Sequence, residues 1–302
     1  VADDYLDSLE VAHSTKREYK KALNCYWTPV LGTEPINSIG YGRLKGVVAG
    51  TPWPSNKTRN NALVSLRGVF AYAVRDKLIT ENPALEIENR KHQTREPDPL
   101  TLAEIDAFLS ACKEETERNL FEVAFFSGMR TSELIGLWWS DVDWLSGIAR
   151  VQRAFVRGKL KATKTEKARN VELTSRALAA LKRQRAFTEA AGAEVFRNPR
   201  TGQPWQGDQD LRRRWKVYLR GAKLRAREAY QTRHTFATLA IMAGANPVWV
   251  SRQLGHSDPM FTFRVYARWI DGADKSRELG RLDAAIAGDG SACSDSPASA
   301  KP

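Results

Sequence analysis

Residues 88–99 read ENRKHQTREPDP, a polar and charged stretch that carries two prolines. No hydrophobic core can absorb such a segment, and each proline pushes the residue before it out of helical geometry. The chain of 302 residues must therefore fold around two cores. The expected division is a first domain over residues 1–90, a linker over 91–99 and a second domain over 100–287. The last stretch, 288–302 (GDGSACSDSPASAKP), is low in complexity and is expected to be disordered.

Residues 1–90 read as a small helical domain. Thr15 and Glu18 form a T-x-x-E capping box, predicting a helix that opens there and runs to about Tyr26. A second helix is expected over 41–49, between Gly40 and Gly50. The clearest is a third over 56–78, where Leu63, Leu66, Phe70, Ala73 and Val74 recur at helical spacing on one face. Lys57, Arg59 and Arg67 lie elsewhere on it, available to solvent or to DNA. Asn82-Pro83 then ends the domain.

In the second domain Thr101 and Glu104 make another capping box. A helix through 120–126 stops at Gly128, and a new one starts near Thr131. From about 147 to 173 the pattern changes: Ile148, Val151, Phe155, Val156, Val171 and Leu173 suggest a short antiparallel sheet, interrupted by the basic stretch 159–169. Helical sequence resumes at Ser175. Near its end Leu279, Leu282 and Ile286 form a small apolar stripe, able to dock on a neighbouring subunit or on its own domain. The fold class is thus mainly α with a small antiparallel β-sheet in the second domain.

Lysine and arginine number 47 against 35 aspartates and glutamates, a formal charge of +12. That excess points to an acidic polymer, nucleic acid before membrane. No apolar run is long enough to span a bilayer, so no membrane partner is expected. The three cysteines, Cys25, Cys112 and Cys293, are far apart and make no CxxC pair. A disulfide framework or zinc site is not expected, and a reducing cytoplasm fits. The chain opens on Val1 and leads straight into helix-like sequence, which reads as a trimmed N-terminus.

Four separated segments carry candidate chemistry: SGMRTSELIGLWWSDVD, KATKTEKARNVEL, YQTRHTFATLA and LGHSDPMFTFRVYARW. Each alone has an ordinary structural explanation as a cap, a solvated loop or a core tyrosine. Together and in this order they resemble the catalytic domain of the tyrosine recombinase (phage integrase) family. The first box is Gly128, Arg130, Glu133, Leu137, Trp139 and Asp141. The second is Tyr230 to Ala237, the Leu-Gly-His-Ser signature is Leu254 to Ser257, and Tyr266 follows ten residues after His256. Residues 57–83 are similar to the family's core DNA-binding domain.

The resemblance implies a SAM-like helical core-binding domain joined to a tyrosine-recombinase catalytic domain. It implies a nucleophile, Tyr266, an arginine clamp of Arg130 and Arg233, and a phosphate contact from His256. Lys164 matches the family's β-hairpin lysine, with Lys161 and Lys167 close enough to be rivals. Tyr230 stands where most members have histidine. It can hydrogen-bond a phosphate oxygen but is a poor proton shuttle near neutrality. Lys57 and Arg59 are the candidate DNA contacts of the first domain. The implied partners are double-stranded DNA, three further copies of the chain in a synaptic tetramer, and accessory DNA-bending proteins. No cofactor and no metal is implied. Two other readings share parts of the pattern: a catalytically inactive, integrase-like DNA-binding regulator, and a type IB topoisomerase.

These residue types suit the chemistry. Reversible strand breakage that conserves bond energy needs a covalent intermediate, and a phenol oxygen can make one. Negative charge gathers on the phosphate as it is attacked, and arginine forks onto phosphate while always charged. The departing 5′ oxygen needs a proton, which a lysine can give. Asn246-Pro247 and Gly255 bracket a short helix that would project His256 from its end, and Asp258-Pro259 would cap the helix of Tyr266. A free tyrosine has a pKa of about 10, so the two arginines and the histidine are expected to draw it down.

Overall fold

The computed structural model describes residues 1–93, 96–156, 159–162 and 168–269, with helical fragments at 279–280, 282–283 and 286. The disordered tail expected over 288–302 lies outside the described residues. The chain divides into two compact units, Val1–Arg95 and Glu96–Pro302.

The first unit is helical: α1 (Ala2–Asp7), α2 (His13–Ala22), α3 (Thr28–Leu31), α4 (Tyr41–Gly50) and α5 (Asn56–Arg75). The second of these starts earlier than its capping box suggested. Backbone N–H groups of Thr15 and Lys16 already donate to Ala12 O, so Thr15 sits inside the helix instead of capping it. A π turn over Leu23–Trp27 follows. Its extra residue swings Trp27 inward, where the indole N–H donates to Ala62 O at 3.0 Å. On α5 the Ser55 hydroxyl accepts from Thr58 N–H, and Leu63, Leu66, Phe70 and Ala73 are buried. The helix ends at Arg75, earlier than expected. Lys77 takes φ 59°, Leu78 N–H returns to Ala73 O, and Lys77 N–H returns to Val74 O. That is a Schellman ending, with lysine accepting a left-handed position at a cost of about 1 kcal/mol.

Arg59 and Arg67 do not stand free on α5. Arg59 is buried and donates to Glu88 O, while Arg67 donates to Ala84 O and Ile87 O. Asn56 and Asn60 donate to Lys91 O and Arg90 O. Residues 84–91 are therefore laid along α5. Lys57 is exposed.

The second unit is built on α6 (Leu102–Ala111), α7 (Glu115–Ser127), α8 (Thr131–Ile135), α9 (Ser175–Thr188) and α10 (Asp208–Gly221). The capping box of Thr101 and Glu104 is formed as expected. Nearly all of α7 is buried, and Phe108, Phe121, Phe125 and Trp215 pack ring on ring around it, with Phe108 and Trp215 centroids 4.5 Å apart. Charges carried into this core are matched. Glu117 accepts from Arg214 and from the Tyr218 hydroxyl, and Glu122 accepts from Arg176 and Arg183.

The expected sheet is two sheets. β1 (Val142–Asp143), β2 (Ile148–Val151) and β5 (Arg169–Glu172) form an antiparallel three-stranded sheet in the order β1-β2-β5, with Ala149 opposite Val171. β3 (Arg153–Val156) and β4 (Lys159–Ala162) form a separate hairpin, with Arg153 opposite Ala162. Asp141 roots that hairpin. Its buried carboxylate accepts from Gln152 at 2.7 Å and twice from Arg153, whose guanidinium lies 3.8 Å over the Trp138 ring.

The remaining helices, α11 (Gln231–Met242), α12 (Pro247–Leu254) and α13 (Pro259–Tyr266), enclose a second small core of Phe236, Ala237, Ile241, Val250, Leu254 and Tyr266. Leu279, Leu282 and Ile286 are exposed. Among the described residues no helix is long and apolar enough to cross a membrane.

Candidate active site

The site begins at a glycine. Gly128 ends α7 with φ 68°, and a Cβ placed there would lie 2.6 Å from Phe236 and 3.0 Å from Leu254. Only glycine meets both the backbone angle and the space. The close approach brings the end of α7 against α11 and α12.

Arg233, in the first turn of α11, occupies this junction at 1% exposure. One guanidinium nitrogen donates to Gly128 O at 2.8 Å and another to Leu254 O. Arg130 follows the Gly128 turn and N-caps α8. It donates to Glu133 Oε1 at 2.7 Å and to Gly255 O at 3.4 Å, with about a third of its side chain open to solvent (32%). Glu133 is itself buried and is gripped from the other side by Arg169 of β5, through two bonds of 2.8 and 2.7 Å. Arg169 reaches on to Gln253 O at 3.1 Å. The carboxylate thus ties the turn after α7 to the sheet and to the end of α12.

Asn246-Pro247 and Gly255 bracket α12 as expected: the Asn246 side chain accepts from Val248 N–H, and Gly255 turns the chain at φ 64°. A Cβ on Gly255 would come within 2.9 Å of Arg169. His256 emerges there, its Nδ1 2.7 Å from the hydroxyl of buried Thr262 and its ring edge-on to Phe261. Asp258 caps α13 through Met260 N–H. Tyr266 closes that helix at 1% exposure, with Oη 2.6 Å from His234 Nδ1. Tyr230 is half exposed and sits edge-on to His234, centroids 5.2 Å apart.

Arg130, Arg233, His256 and Tyr266 are therefore brought to one junction from separated segments, with Tyr230 beside them. Lys164 and Lys167 lie outside the described residues. The four segments contain Arg169 and Thr262 without singling them out, and they hold Glu133 and His234 without assigning either a role. Arg169 shares a strand face with buried Val171, and an inward arginine needs a carboxylate, so alternation carried a signal for it. Thr262 stands four residues before Tyr266 on one helical face, which also was readable. The carboxylate role of Glu133 and the His234 contact had no such signal.

Electrostatics follow from burial. Burial alone pushes Glu133 up, but hydrogen bond and charge from Arg169, then Arg130, outweigh it and hold the carboxyl at about 2. Burial, with Arg130 adding to it, lowers Arg233 to about 10. Burial and the neighbouring arginines lower His256 to about 3, and burial with Arg233 lowers His234 to about 4. Both imidazoles are neutral near pH 7. Tyr266 corrects the expectation of a phenol drawn down: its burial raises it above the ordinary value, and Arg233 reverses that only in part.

Glu133 titrates near 4.5 when unfolded and near 2 when folded. Its ionic contribution to stability is complete above the unfolded value and is lost as pH falls from about 4.5 toward 2. Urea unfolding should show the midpoint falling through that window, with a flatter profile for Glu133→Gln. Glu133→Ala should cost roughly 3–5 kcal/mol at pH 7, because it leaves two guanidiniums uncompensated. A loss below about 1 kcal/mol would remove the carboxylate from its place as the tie of this site.

A family model described as the phage integrase family matches residues 99–271. The chain is 28% identical over 246 residues to IntQ of Escherichia coli (strain K12), named as a defective protein. That match covers 72% of this chain and 62% of IntQ, so the chain spans less than two thirds of that relative. It is also 28% identical over 284 residues to tyrosine recombinase XerD of Pseudomonas aeruginosa, covering 87% of this chain and 91% of XerD. Among solved structures, the Tn1549 transposon integrase in complex with a circular intermediate DNA superposes with a TM-score of 0.73 at 22% identity, covering 94% of this chain and 97% of that one. A lambda integrase tetramer bound to a Holliday junction gives 0.71 at 18% identity, covering 85% and 76%. Both likenesses speak to the fold, whereas the family model spans more than half of the sequence, and on that ground this chain belongs to the phage integrase family of tyrosine recombinases.

Proposed function

We propose that the chain is a site-specific DNA recombinase, an integrase, that cleaves and rejoins strands through a 3′-phosphotyrosyl intermediate on Tyr266. The observation that carries this reading is the meeting of Arg130, Arg233, His256 and Tyr266 at the junction of α8, α11, α12 and α13. In this reading a DNA phosphate binds where Arg130 offers its open donors, with Arg233 supplying charge from behind. Thr262 gives its hydroxyl hydrogen to His256 Nδ1, leaving Nε2–H to bond a nonbridging oxygen. Tyr266 Oη attacks phosphorus and releases its hydrogen to solvent as the new bond forms, the bond to the 5′ oxygen breaks, and Lys164 protonates the oxygen that leaves. Attack by a 5′ hydroxyl of the partner strand reverses each step, so bond energy is kept.

Residues 1–90 would serve as a core DNA-binding domain and 100–287 as the catalytic domain, together holding duplex DNA chiefly by its phosphates. Lys57, exposed, is the stronger phosphate contact on the first. Arg59, buried against Glu88 O, would act by holding the 84–91 segment. The lambda relative, solved as a tetramer on a Holliday junction, supports assembly of four copies on two duplexes. The exposed Leu279, Leu282 and Ile286 suit docking on a neighbouring copy. Accessory DNA-bending proteins and action in a bacterial cytoplasm complete the proposal.

Covalent trapping on a nicked substrate tests it. An adduct that survives denaturant and maps by peptide mass to Tyr266 is expected. Tight, salt-sensitive binding to a verified attachment site without any adduct would replace this reading with that of an inactive DNA-binding regulator. Tyr230→His should keep or raise the cleavage rate, since an imidazole at that half-exposed position adds a proton carrier. Complete loss would give the phenol a role of its own.

A further inference from the structure

Tyr266 is a phenol in an apolar setting: its ring packs with Phe236, Leu254 and Trp269 at 1% exposure. Among the described residues its oxygen meets one polar partner, His234 Nδ1, at 2.6 Å. His234 is covalently adjacent to Arg233 on α11. That helix is pinned at its start, where Gln231 accepts from Asp98 N–H and Thr235 from Leu100 N–H, each at 2.9 Å. The contact joins the end of α13 to a rigid helix that already carries a phosphate-binding candidate.

We propose that His234 is a positioning residue for the nucleophile, its Nδ1 accepting the phenol hydrogen so that Tyr266 Oη is held in fixed register with the Arg233 guanidinium. The inference rests on the recombinase reading above. Nδ1 can accept only if the imidazole is neutral with its hydrogen on Nε2. Burial and the adjacent arginine keep the ring neutral, at about 4, and the phenol hydrogen directed at Nδ1 favours the Nε2–H tautomer. The same burial raises the phenol, so its hydrogen stays on oxygen in the resting hydrogen bond to Nδ1. Tyr230 backs the imidazole edge-on and limits its rotation. His234 therefore acts through geometry, and the low basicity of its ring suits an acceptor better than a proton sink.

Single-turnover cleavage of a nicked duplex, with His234→Asn, His234→Gln and His234→Phe compared, tests this. Asparagine places a carbonyl oxygen close to the Nδ1 position without basicity, glutamine carries its oxygen one bond too far, and phenylalanine has no acceptor. Loss of register by about 1 Å costs on the order of 10²-fold, so phenylalanine and glutamine should slow cleavage by about that factor while asparagine recovers most of the rate. Duplex affinity should stay close to that of the unaltered protein in all three, and the unfolding midpoint should hold for asparagine and fall modestly for phenylalanine, which leaves the buried phenol without a partner. Phenylalanine cleaving at the unaltered rate would overturn the proposal. Asparagine as slow as phenylalanine would also overturn it, because the ring would then be needed for its basicity. No adduct from the unaltered protein would instead overturn the recombinase reading, and this inference with it.

Discussion

A Tyr266→Phe protein is expected to fold, to bind duplex DNA and to form no covalent adduct at all. The change removes one oxygen and leaves the ring among Phe236, Leu254 and Trp269, so the small core of α11, α12 and α13 keeps its packing. His234 loses its partner at 2.6 Å, which costs about 1–3 kcal/mol if no water takes the place. That is tolerable for a unit with a large separate core around α7. Affinity should hardly move, because in the proposed reading it rests on phosphate contacts and the phenol is buried. Denaturing electrophoresis after reaction with a nicked duplex is the measurement. A residual adduct would point to Tyr230, whose half-exposed phenol lies beside the same imidazole. Peptide mass mapping would then decide which oxygen attacks.

Arg233→Ala should lose on two counts. Cleavage is expected to fall by about 10²–10³-fold or more, the usual loss when one fixed donor to a developing oxyanion is removed. Stability is expected to fall as well, because Gly128 O and Leu254 O both lose their donor in a buried place. Each orphaned carbonyl costs about 1–3 kcal/mol, and removal of a desolvated cation offsets part of that. Arg233→Lys keeps the charge, but one ammonium lacks the planar fork that serves two carbonyls from one side chain. It should be the more stable of the two variants and still cleave poorly. Urea unfolding and single-turnover cleavage separate the two effects. An alanine variant with unaltered stability would mean that the junction of α7 and α12 is held by packing alone, and one that cleaves normally would sink the clamp.

Features legible in the sequence and features that were not divide along the range of the interactions. The Thr101–Glu104 capping box, Gly128 as a left-handed stop, the Asn246-Pro247 start, Gly255 and the Asp258 cap are all present as expected. Each is a contact among residues a few positions apart, where side-chain chemistry alone selects the backbone angle. Reading failed where two local rules competed. Thr15 was overruled by backbone bonds to Ala12 O, and α5 was cut short at a left-handed lysine that no local preference favours.

By itself the sequence determined the helical class with its antiparallel strands and the family, and it picked out the residues proposed above to bind and attack a phosphate. These follow from periodicity, caps and the order of four motifs. Tertiary structure alone decided that Glu133 would be shared between Arg130 and Arg169, that Arg59 would be buried against Glu88 O, and that Tyr266 would rest against His234. It also decided that burial would raise that phenol, against the lowering its arginine neighbours promised. The physical reason is common to all four. A partner 29 to 36 residues away, as for Arg59, His234 and Arg169, or the exclusion of water from a side chain, depends on how helices pack, and no spacing along the chain encodes it.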